Sequence, residues 1–363
     1  MNQPPSFWRS FIIGFVWVTI IGLIVLMCVK YAYAARINAG PWLQAVTETS
    51  AVVMWESDTT QPGLVRIGTR QWQSQSSTVG AVDSSDTSAI IHTAKLDGLE
   101  PGRTYDYHVD MGNVSSQLHS FTTQSKKDVW RFAFTSNPNA LSPGKAQIAW
   151  KNISAAKPDF VVISGDISNR STNDDYRQFM QRGYPLVGNV AVYTVPGNHD
   201  NRAGSTYVRW FHNEGSGSLS ERFHVFDICR MHFVGIDDSH PRVSGFNPAW
   251  FTEALRRKNT QWHMAVMNGN YRKHTDMRAH LDANMQNIDV LLTSGSGAQY
   301  TDGNTLHVEA GGSNYVYHIV EMTDNRIMAT QYSHDGKDKG NASITRQSSD
   351  KPLPPRNLRA EPK

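Results

Sequence analysis

The stretch Phe160-Val-Val-Ile-Ser-Gly-Asp166 is the best guide to the fold of this chain. It is an apolar run that ends in glycine and aspartate, which predicts a buried strand and a turn that delivers a polar side chain to the strand's carboxyl end. Further along, Val192-Tyr-Thr-Val-Pro196 runs into Gly197-Asn198-His199-Asp200 in the same way. Open α/β sheets place ligands and chemistry at this edge. Two such junctions therefore predict a functional edge of a sheet.

Three more strand-to-turn junctions carry small polar residues instead of the charged residues and histidines that sites usually need. Their turns are Asn137-Pro138-Asn139 after Phe132–Thr135, Asn268-Gly269-Asn270 after Met264–Met267, and Gly295-Ser296-Gly297-Ala298 after Val290–Ser294.

Together the five junctions resemble the motifs of calcineurin-like metallophosphoesterases, and among them the purple acid phosphatases. That family orders its motifs as Asp-x-His, Gly-Asp-x-x-(Asp or Tyr), Gly-Asn-His-(Asp or Glu), a histidine after a strand, and Gly-His-x-His. The resemblance implies a dinuclear metal centre that hydrolyses phosphate esters. Where it implies one aspartate and four histidines as metal ligands, the chain has Asn137, Asn139, Asn268, Ser296 and Ala298.

Only part of the implied site is retained. Asp166 stands where the bridging aspartate is expected, and Asn198 and His199 match the third motif, but Asn169 replaces a metal-binding tyrosine. The family reaction needs two cations about 3.5 to 4 Å apart, and asparagine is a weak substitute for imidazole or carboxylate. We therefore expect no bound metal or other cofactor and no catalytic residue, with Asp166, Asn198 and His199 as vestiges.

Other histidines could in principle serve as ligands if the motifs were misplaced. The nearby candidates are His240, His263, His274 and His280, and their spacing matches no ligand pattern that we recognise. We interpret each as a surface histidine or a hydrogen-bonded core histidine.

The N-terminus predicts a membrane anchor. After a tail of residues 1–10, residues 11–29 carry no charge and are almost entirely apolar, and about 20 such residues span a bilayer core. We assign the anchor to residues 11–30. The alternative is a cleaved signal peptide, because Ala32-Tyr-Ala34 resembles a cleavage site, but the apolar run is longer than the usual core of about 7 to 15 residues.

Orientation rests on the resemblance, since Arg9, Lys30 and Arg36 on the two sides of the span do not discriminate by the positive-inside rule. Purple acid phosphatases and their bacterial relatives are typically exported. We therefore expect a single-pass membrane protein with a cytoplasmic N-terminus and most of the chain outside the cytoplasm, which in a bacterium is the periplasm.

Residues 38–123 have the composition of a small β-sandwich. Short β-rich runs such as Ala51–Trp55 and Thr104–Val109 alternate with Gly, Ser, Thr and Asp. The segment Leu96–Tyr107 resembles the turn and tyrosine corner of fibronectin type III domains. Gly40–Gln44 and Ser120–Thr123 resemble the N-terminal domain of purple acid phosphatases. A generic adhesion module is the alternative.

The C-terminal segment 347–363 is rich in proline and poor in apolar residues, which indicates an extended tail. A formal net charge of +3 over 363 residues is too small to indicate a nucleic-acid partner. The length supports one anchor and two folded domains, and we assign the phosphoesterase-like domain to residues 130–346.

The predicted fold class is a multidomain α+β protein: a transmembrane helix, a fibronectin type III-like sandwich, and an α/β metallophosphoesterase-type sandwich flanked by helices. We interpret the chain as a non-catalytic scaffold or interaction subunit of an integral membrane protein complex, with the bilayer bound through residues 11–30. Two alternatives remain. One is an atypical phosphoesterase that uses one metal or an unusual metal, and the other is a non-hydrolytic binder of a phosphorylated or anionic ligand.

Overall fold

The computed structural model describes residues 35–200, 206–212, 222–238, 246–256, 261–271, 275–311 and 315–346, and Ile20 apart from these. The helices are α1 (Pro143–Ala155), α2 (Asn173–Gly183), α3 (Leu186–Asn189), α4 (Thr206–Trp210), α5 (Pro248–Leu255) and α6 (Thr275–Asp282), with 3-10 turns at Pro138–Ala140 and Met285–Asn287.

The strands of the N-terminal domain are β1 (Ile37–Gln44), β2 (Ala51–Ser57), β3 (Leu64–Ile67), β4 (Arg70–Gln73), β5 (Gln75–Val79), β6 (Ala89–Leu96), β7 (Thr104–Met111), β8 (Val114–Ser115) and β9 (His119–Thr122). Those of the second domain are β10 (Trp130–Thr135), β11 (Phe160–Ser164), β12 (Ala191–Val195), β13 (Phe223–Ile228), β14 (Met231–Ile236), β15 (Trp262–Met267), β16 (Val290–Ser294), β17 (Gln299–Asp302), β18 (Thr305–Ala310), β19 (Val316–Met322), β20 (Arg326–Ser333) and β21 (Asp338–Thr345).

The N-terminal domain consists of two antiparallel sheets. One has the order β1-β2-β6-β5, and the other has the order β4-β3-β7-β8, with β9 paired to β7. β7 alternates exposed and buried residues at its start, as expected for a strand with one face on the core. The Tyr105 hydroxyl accepts a hydrogen bond from the Glu100 backbone N–H at 2.8 Å. It thus fixes the turn that the sequence singles out.

The second domain is a sandwich of two six-stranded sheets. Their orders are β12-β11-β10-β19-β20-β21 and β13-β14-β15-β16-β18-β17. The strands that carry the five junctions are parallel to one another within each sheet: β10, β11 and β12 in one sheet, and β15 and β16 in the other. The carboxyl ends of each set therefore meet at one edge, as the sequence predicts.

Aromatic side chains fill the space between the two sheets. Phe132 and Phe160 stack with ring centroids 4.9 Å apart, and each meets the edge of Phe233 from the opposite sheet at 5.8 and 5.9 Å. All three are fully buried. These contacts set the separation of the sheets, so the junction loops of both sheets face one another across the edge.

The two domains share one hydrophobic core. Trp42 of β1 stacks on Trp210 of α4 with centroids 5.6 Å apart, and the Tyr107 hydroxyl donates to the Gly188 carbonyl at 2.7 Å. One cluster of buried apolar residues runs from the N-terminal domain into the second domain without a break. The domains therefore pack as a unit.

A carboxylate from the N-terminal domain completes the first turn of α2. Asp86 accepts hydrogen bonds from the backbone N–H groups of Asn173 and Asp174 at 3.2 and 3.1 Å. Thr172 caps the same helix, with its hydroxyl accepting from the Asp175 N–H at 3.2 Å. The first N–H groups of a helix lack partners within it, so these bonds anchor α2 to the neighbouring domain.

An ion pair crosses the same interface. Arg177 of α2 donates through Nε to Glu56 Oε2 at 2.7 Å and through Nη2 to the other carboxylate oxygen. The Glu56 side chain is 1% exposed and the Arg177 side chain 17%. Burial raises the pKa of Glu56, and the Arg177 hydrogen bonds oppose that rise.

The predicted anchor is not described by this structure. Within the described residues, no helix is both long enough and apolar enough to cross a membrane. Residues 1–10, 11–30 and 347–363 lie outside the described part of the chain, with Ile20 excepted, so the anchor and the two tails stay predictions.

A buried histidine predicts a pH-dependent stability difference. His224 is 1% exposed, and within the described residues neither ring nitrogen has a hydrogen-bond partner. Burial lowers its pKa to about 4, so the folded state resists protonation that the unfolded chain accepts near pH 6.5. The stability from neutral His224 is present above pH 6.5 and is lost as the pH falls towards 4.

We therefore expect His224→Leu to gain roughly 3 kcal/mol of stability relative to the parent between pH 7 and pH 4. Urea unfolding of both proteins across this range measures the difference. A difference that does not change with pH would show that His224 is solvated or hydrogen-bonded in solution.

Candidate functional site

Three junctions converge on a crowded point at the strand ends. A Cβ atom on Gly197 would clash with Asp166 Oδ1, and one on Gly165 would lie 2.6 Å from the Gly197 nitrogen and 2.8 Å from Asn268 Cβ. Gly165 also has a φ of +70°. Glycine is required at both positions because any side chain would push the loops apart. The Gly-Asp and Gly-Asn-His motifs thus bring the loops of β11, β12 and β15 together.

Asp166 lies at the centre of this edge. It is 5% exposed and has a φ of +51°, a left-handed conformation that is strained for most residues. Its Oδ2 accepts a hydrogen bond from Asn137 Nδ2 at 3.0 Å, and its Oδ1 accepts one from the His199 backbone N–H at 3.0 Å. Both carboxylate oxygens are therefore bonded to protein donors.

The other two asparagines at the implied ligand positions also act as donors. Asn139 Nδ2 donates to the Ser168 carbonyl at 2.9 Å, and Asn268 Nδ2 donates to the Ser164 carbonyl at 2.7 Å. The partners are acceptors only, so they fix which end of each amide faces them. All three asparagine side chains thus link strand-end loops by hydrogen bonds.

The fifth junction binds a carboxylate that the sequence does not single out. Ser296 donates from its backbone nitrogen and its hydroxyl to Glu309 Oε2, both at 3.1 Å. Glu309, of β18, is 3% exposed, and its backbone N–H donates to the Ala298 carbonyl at 2.8 Å. Ser296 and Ala298 therefore hold β18 instead of presenting imidazoles to a metal.

His199 and Asn198 are the residues of the third motif nearest to solvent. His199 Nδ1 lies 2.9 Å from the Asn169 carbonyl, so this nitrogen carries the proton and donates it. The His199 side chain is half-buried and Asn198 is exposed. The junction of β12 thus joins the loop after β11 through His199.

Two further buried aspartates, Asp200 and Asp238, accept hydrogen bonds from backbone N–H groups of the strand-end loops. The sequence analysis assigns them no role. Asp200 is fully buried and accepts from Gly197 N, Ser168 N and Tyr176 Oη at 2.9, 2.9 and 3.1 Å. Burial is the main cause that raises its pKa to about 7, and the nearby charge of Asp166 adds to the rise.

Asp238 binds the backbone of the strand-end loop in the second sheet, as Asp200 does in the first. It is 1% exposed, and it accepts from the Asn268 N–H at 3.1 Å and from the Gly269 N–H. Burial raises its pKa to about 7. The aspartate of Gly-Asn-His-Asp and the pair Asp237-Asp238 after an apolar strand are the signals that could have found these two.

The residues present do not fit a two-cation centre. Among the described residues, no group of three or more His, Cys, Asp or Glu side chains is placed to hold a metal ion. Transition metals need imidazole or carboxylate donors, and here Asn137, Asn139 and Asn268 direct N–H groups at protein oxygens. A hard cation such as Ca²⁺ would need about six to eight oxygen ligands.

The alternative histidines do not supply the missing ligands. His263 lies near the amino end of β15, at the opposite end of the strand from the candidate edge. Its Nδ1 is 2.8 Å from the Leu255 carbonyl. His280 of α6 packs beside Phe246 with ring centroids 5.1 Å apart. His240 and His274 lie outside the described residues. His263 is thus half-buried and hydrogen-bonded away from the candidate edge.

Comparison with known protein families identifies both folded regions. The family described as purple acid phosphatase, N-terminal domain, matches residues 41–123. The family described as calcineurin-like phosphoesterase matches residues 142–309. The matches follow the chain order that the sequence predicts.

Curated relatives agree with these families over parts of the chain. Purple acid phosphatase 23 of Arabidopsis thaliana is 25% identical over 230 residues, which are 50% of this chain and 48% of the relative. A probable glycerophosphodiester phosphodiesterase GpdQ of Arcobacter nitrofigilis is 34% identical over 88 residues, which are 23% of this chain and 29% of the relative. The chain thus spans less than half the length of either relative.

Solved structures share the fold. Purple acid phosphatase PPD1 from yellow lupin (Lupinus luteus) seeds superposes with a TM-score of 0.70 at 14% identity, over 85% of this chain and 74% of that one. A structure of PhoD superposes with a TM-score of 0.56 at 12% identity, over 85% and 89%. At these identities the likeness concerns the fold alone. The chain therefore matches a purple acid phosphatase N-terminal domain over residues 41–123 and a calcineurin-like phosphoesterase domain over residues 142–309.

Proposed function

We propose that this chain is a non-catalytic, membrane-anchored extracytoplasmic subunit that serves as a scaffold or interaction surface in a membrane protein assembly. Its body is the two-domain purple acid phosphatase-like fold, with a candidate site that no longer holds metal. The anchor is the apolar segment 11–30, with the N-terminus in the cytoplasm.

One observation carries the proposal: the side chains at the metal-ligand positions are used as hydrogen-bond donors within the protein. Asn137 donates to the Asp166 carboxylate, and Asn139 and Asn268 donate to backbone carbonyls of the β11 junction. A metal ion would need lone pairs directed at it from these positions. The hydrogen bonds instead replace the metal as the link between the loops.

A phosphorylated or anionic ligand fits this edge less well. Asp166 and Glu309 are buried carboxyl groups at the strand ends, and in the family the two cations are what make such an edge attractive to phosphate. Without cations, a phosphate group would approach carboxylates at low effective dielectric, where repulsion between like charges is strong. This charge distribution disfavours the anion-binding alternative.

Two measurements on the full chain, extracted in mild detergent, test the proposal. After incubation with Zn²⁺, Fe, Mn²⁺ and Ca²⁺ and removal of excess, we expect metal content far below one ion per chain. Stoichiometric binding of about one or two ions would favour the phosphoesterase alternative. Size analysis and identification of co-purified proteins should then reveal an integral membrane partner, and recovery of the chain alone at native expression levels would contradict the scaffold role.

A further inference from the structure

One apolar side chain protrudes unusually far into solvent. Leu118 is 68% exposed, more than any other large apolar residue in the described part of the chain. Single exposed apolar residues are common. Leu118 differs from such cases because its loop is fixed and a groove lies next to it.

The loop that carries Leu118 is fixed on both sides. The Ser116 backbone N–H donates to the Val109 carbonyl at 2.8 Å. On the other side, His119 Nε2 lies 2.8 Å from the Tyr184 hydroxyl, and the Ser120 N–H donates to Asn189 Oδ1 at 2.9 Å. Leu118 is therefore held outward by its neighbours.

An open groove of about 330 Å³ adjoins this loop. Its lining includes Arg36, Ile37, Val114, Gln117 and Tyr184. The Arg36 side chain is 76% exposed and pairs with Asp58 at 3.2 Å. Apolar side chains next to an exposed arginine and a tyrosine are the combination that suits a membrane interface.

Chain length places this groove close to the bilayer. Only residues 31–34 separate the proposed anchor from Ala35, and a fully extended chain covers at most about 3.5 Å per residue. Ala35 therefore lies within about 18 Å of the end of the span, and the headgroup layer itself is about 5 to 8 Å thick on each side. The surface around Arg36 is the part of the body that the tether holds nearest to the membrane.

We propose that Arg36, Val114, Gln117, Leu118 and Tyr184, here called the anchor-side face, lie against the phospholipid headgroup layer, with Leu118 inserted into it. This inference rests on the membrane anchor of the proposed function. The β11 junction that carries Asp166 precedes α2 and Tyr184 follows it, and α2 is 11 residues long, which is about 16 Å.

The test compares two fluorescent positions in the full chain reconstituted in phosphatidylcholine vesicles. In a Cys28→Ser, Cys229→Ser background, a probe is attached to Leu118→Cys or to the control Asn169→Cys, which is exposed and lies at the far end of α2. We expect lipid with brominated acyl chains near the headgroups to quench the Leu118 probe at least about threefold more than the control, because interfacial residues penetrate about 5 to 10 Å.

Each of the other possible outcomes contradicts the anchor, the anchor-side face or the assignment of lipid as its partner. If the chain stays with the vesicles after alkaline carbonate extraction but both probes are quenched equally, the anchor holds and the anchor-side face is wrong. If the chain is released by carbonate, the anchor fails and the inference fails with it. If the Leu118 probe is shielded from aqueous iodide in the native assembly but not in pure lipid vesicles, a protein covers this face and the lipid assignment is wrong.

Discussion

Five substitutions made together, Asn137→Asp, Asn139→His, Asn268→His, Ser296→His and Ala298→His, are expected to raise the metal content from near zero to about two ions per chain. The junctions that carry Asn137 and Asn268 already lie against the loop of Asp166. The change replaces amide, hydroxyl and methyl groups by the imidazole and carboxylate donors that hold transition metals. Metal analysis after gel filtration measures the result, and hydrolysis of an aryl phosphate reports whether the centre is active.

A variant with only Ser296→His and Ala298→His is the matched control. It adds two imidazoles at the fifth junction and leaves the Asn137–Asp166 hydrogen bond in place, so we expect it to bind far less metal. Thermal unfolding of both variants separates misfolding from failure to bind. A folded five-position variant without metal would mean that the edge has changed shape as well as composition, and that the family motifs do not describe its geometry.

Replacing Arg177 with methionine is expected to destabilise the protein by about 3 kcal/mol or more. The substitution keeps most of the apolar stem but leaves the carboxylate of Glu56, which is 1% exposed, without its bidentate partner. Burial already raises the pKa of Glu56 against the effect of Arg177. Without the arginine, Glu56 must bind a proton or draw water into the interface, and either response costs stability. Urea unfolding at pH 7 measures the loss.

The same substitution at Arg182, on the same helix, is the control. Arg182 donates to Gln178 of its own helix, and Arg182→Met should stay within about 0.5 kcal/mol of the parent. Adding Glu56→Gln to Arg177→Met should recover part of the loss, because the buried charge is then removed with its partner. If Arg177→Met cost no more than Arg182→Met, the ion pair would be solvated and the interface looser than the structure shows.

The sequence predicts the strands and the edge well because both depend on local patterns. Apolar runs that end in Gly-Asp or Gly-Asn-His place β11 and β12, and the structure ends both strands where the runs end. The sequence also shows which residue types stand at the positions where the resemblance implies ligands, since that is a matter of residue identity.

The hydrogen bonds that occupy the edge could not be predicted in this way. Asn268 bonds to a carbonyl 104 residues away, and Ser296 bonds to Glu309 of β18, 13 residues away. Which end of an amide faces inward depends on partners that only the folded chain supplies. The sequence marks Asp200 and Asp238 only as acidic residues after apolar strands, and their role is defined by the backbone N–H groups that surround them in the fold.

The contact of Asp86 with the start of α2 has a consequence for how this edge tolerates mutation. The loop between Asp166 and α2 ends in a helix turn that the neighbouring domain completes. Its position is thus set from outside the phosphoesterase fold and does not depend on an ion held between the strand ends. Residues at those ends can therefore differ in identity while the backbone around them keeps its course, because the accessory domain holds the start of α2 in place.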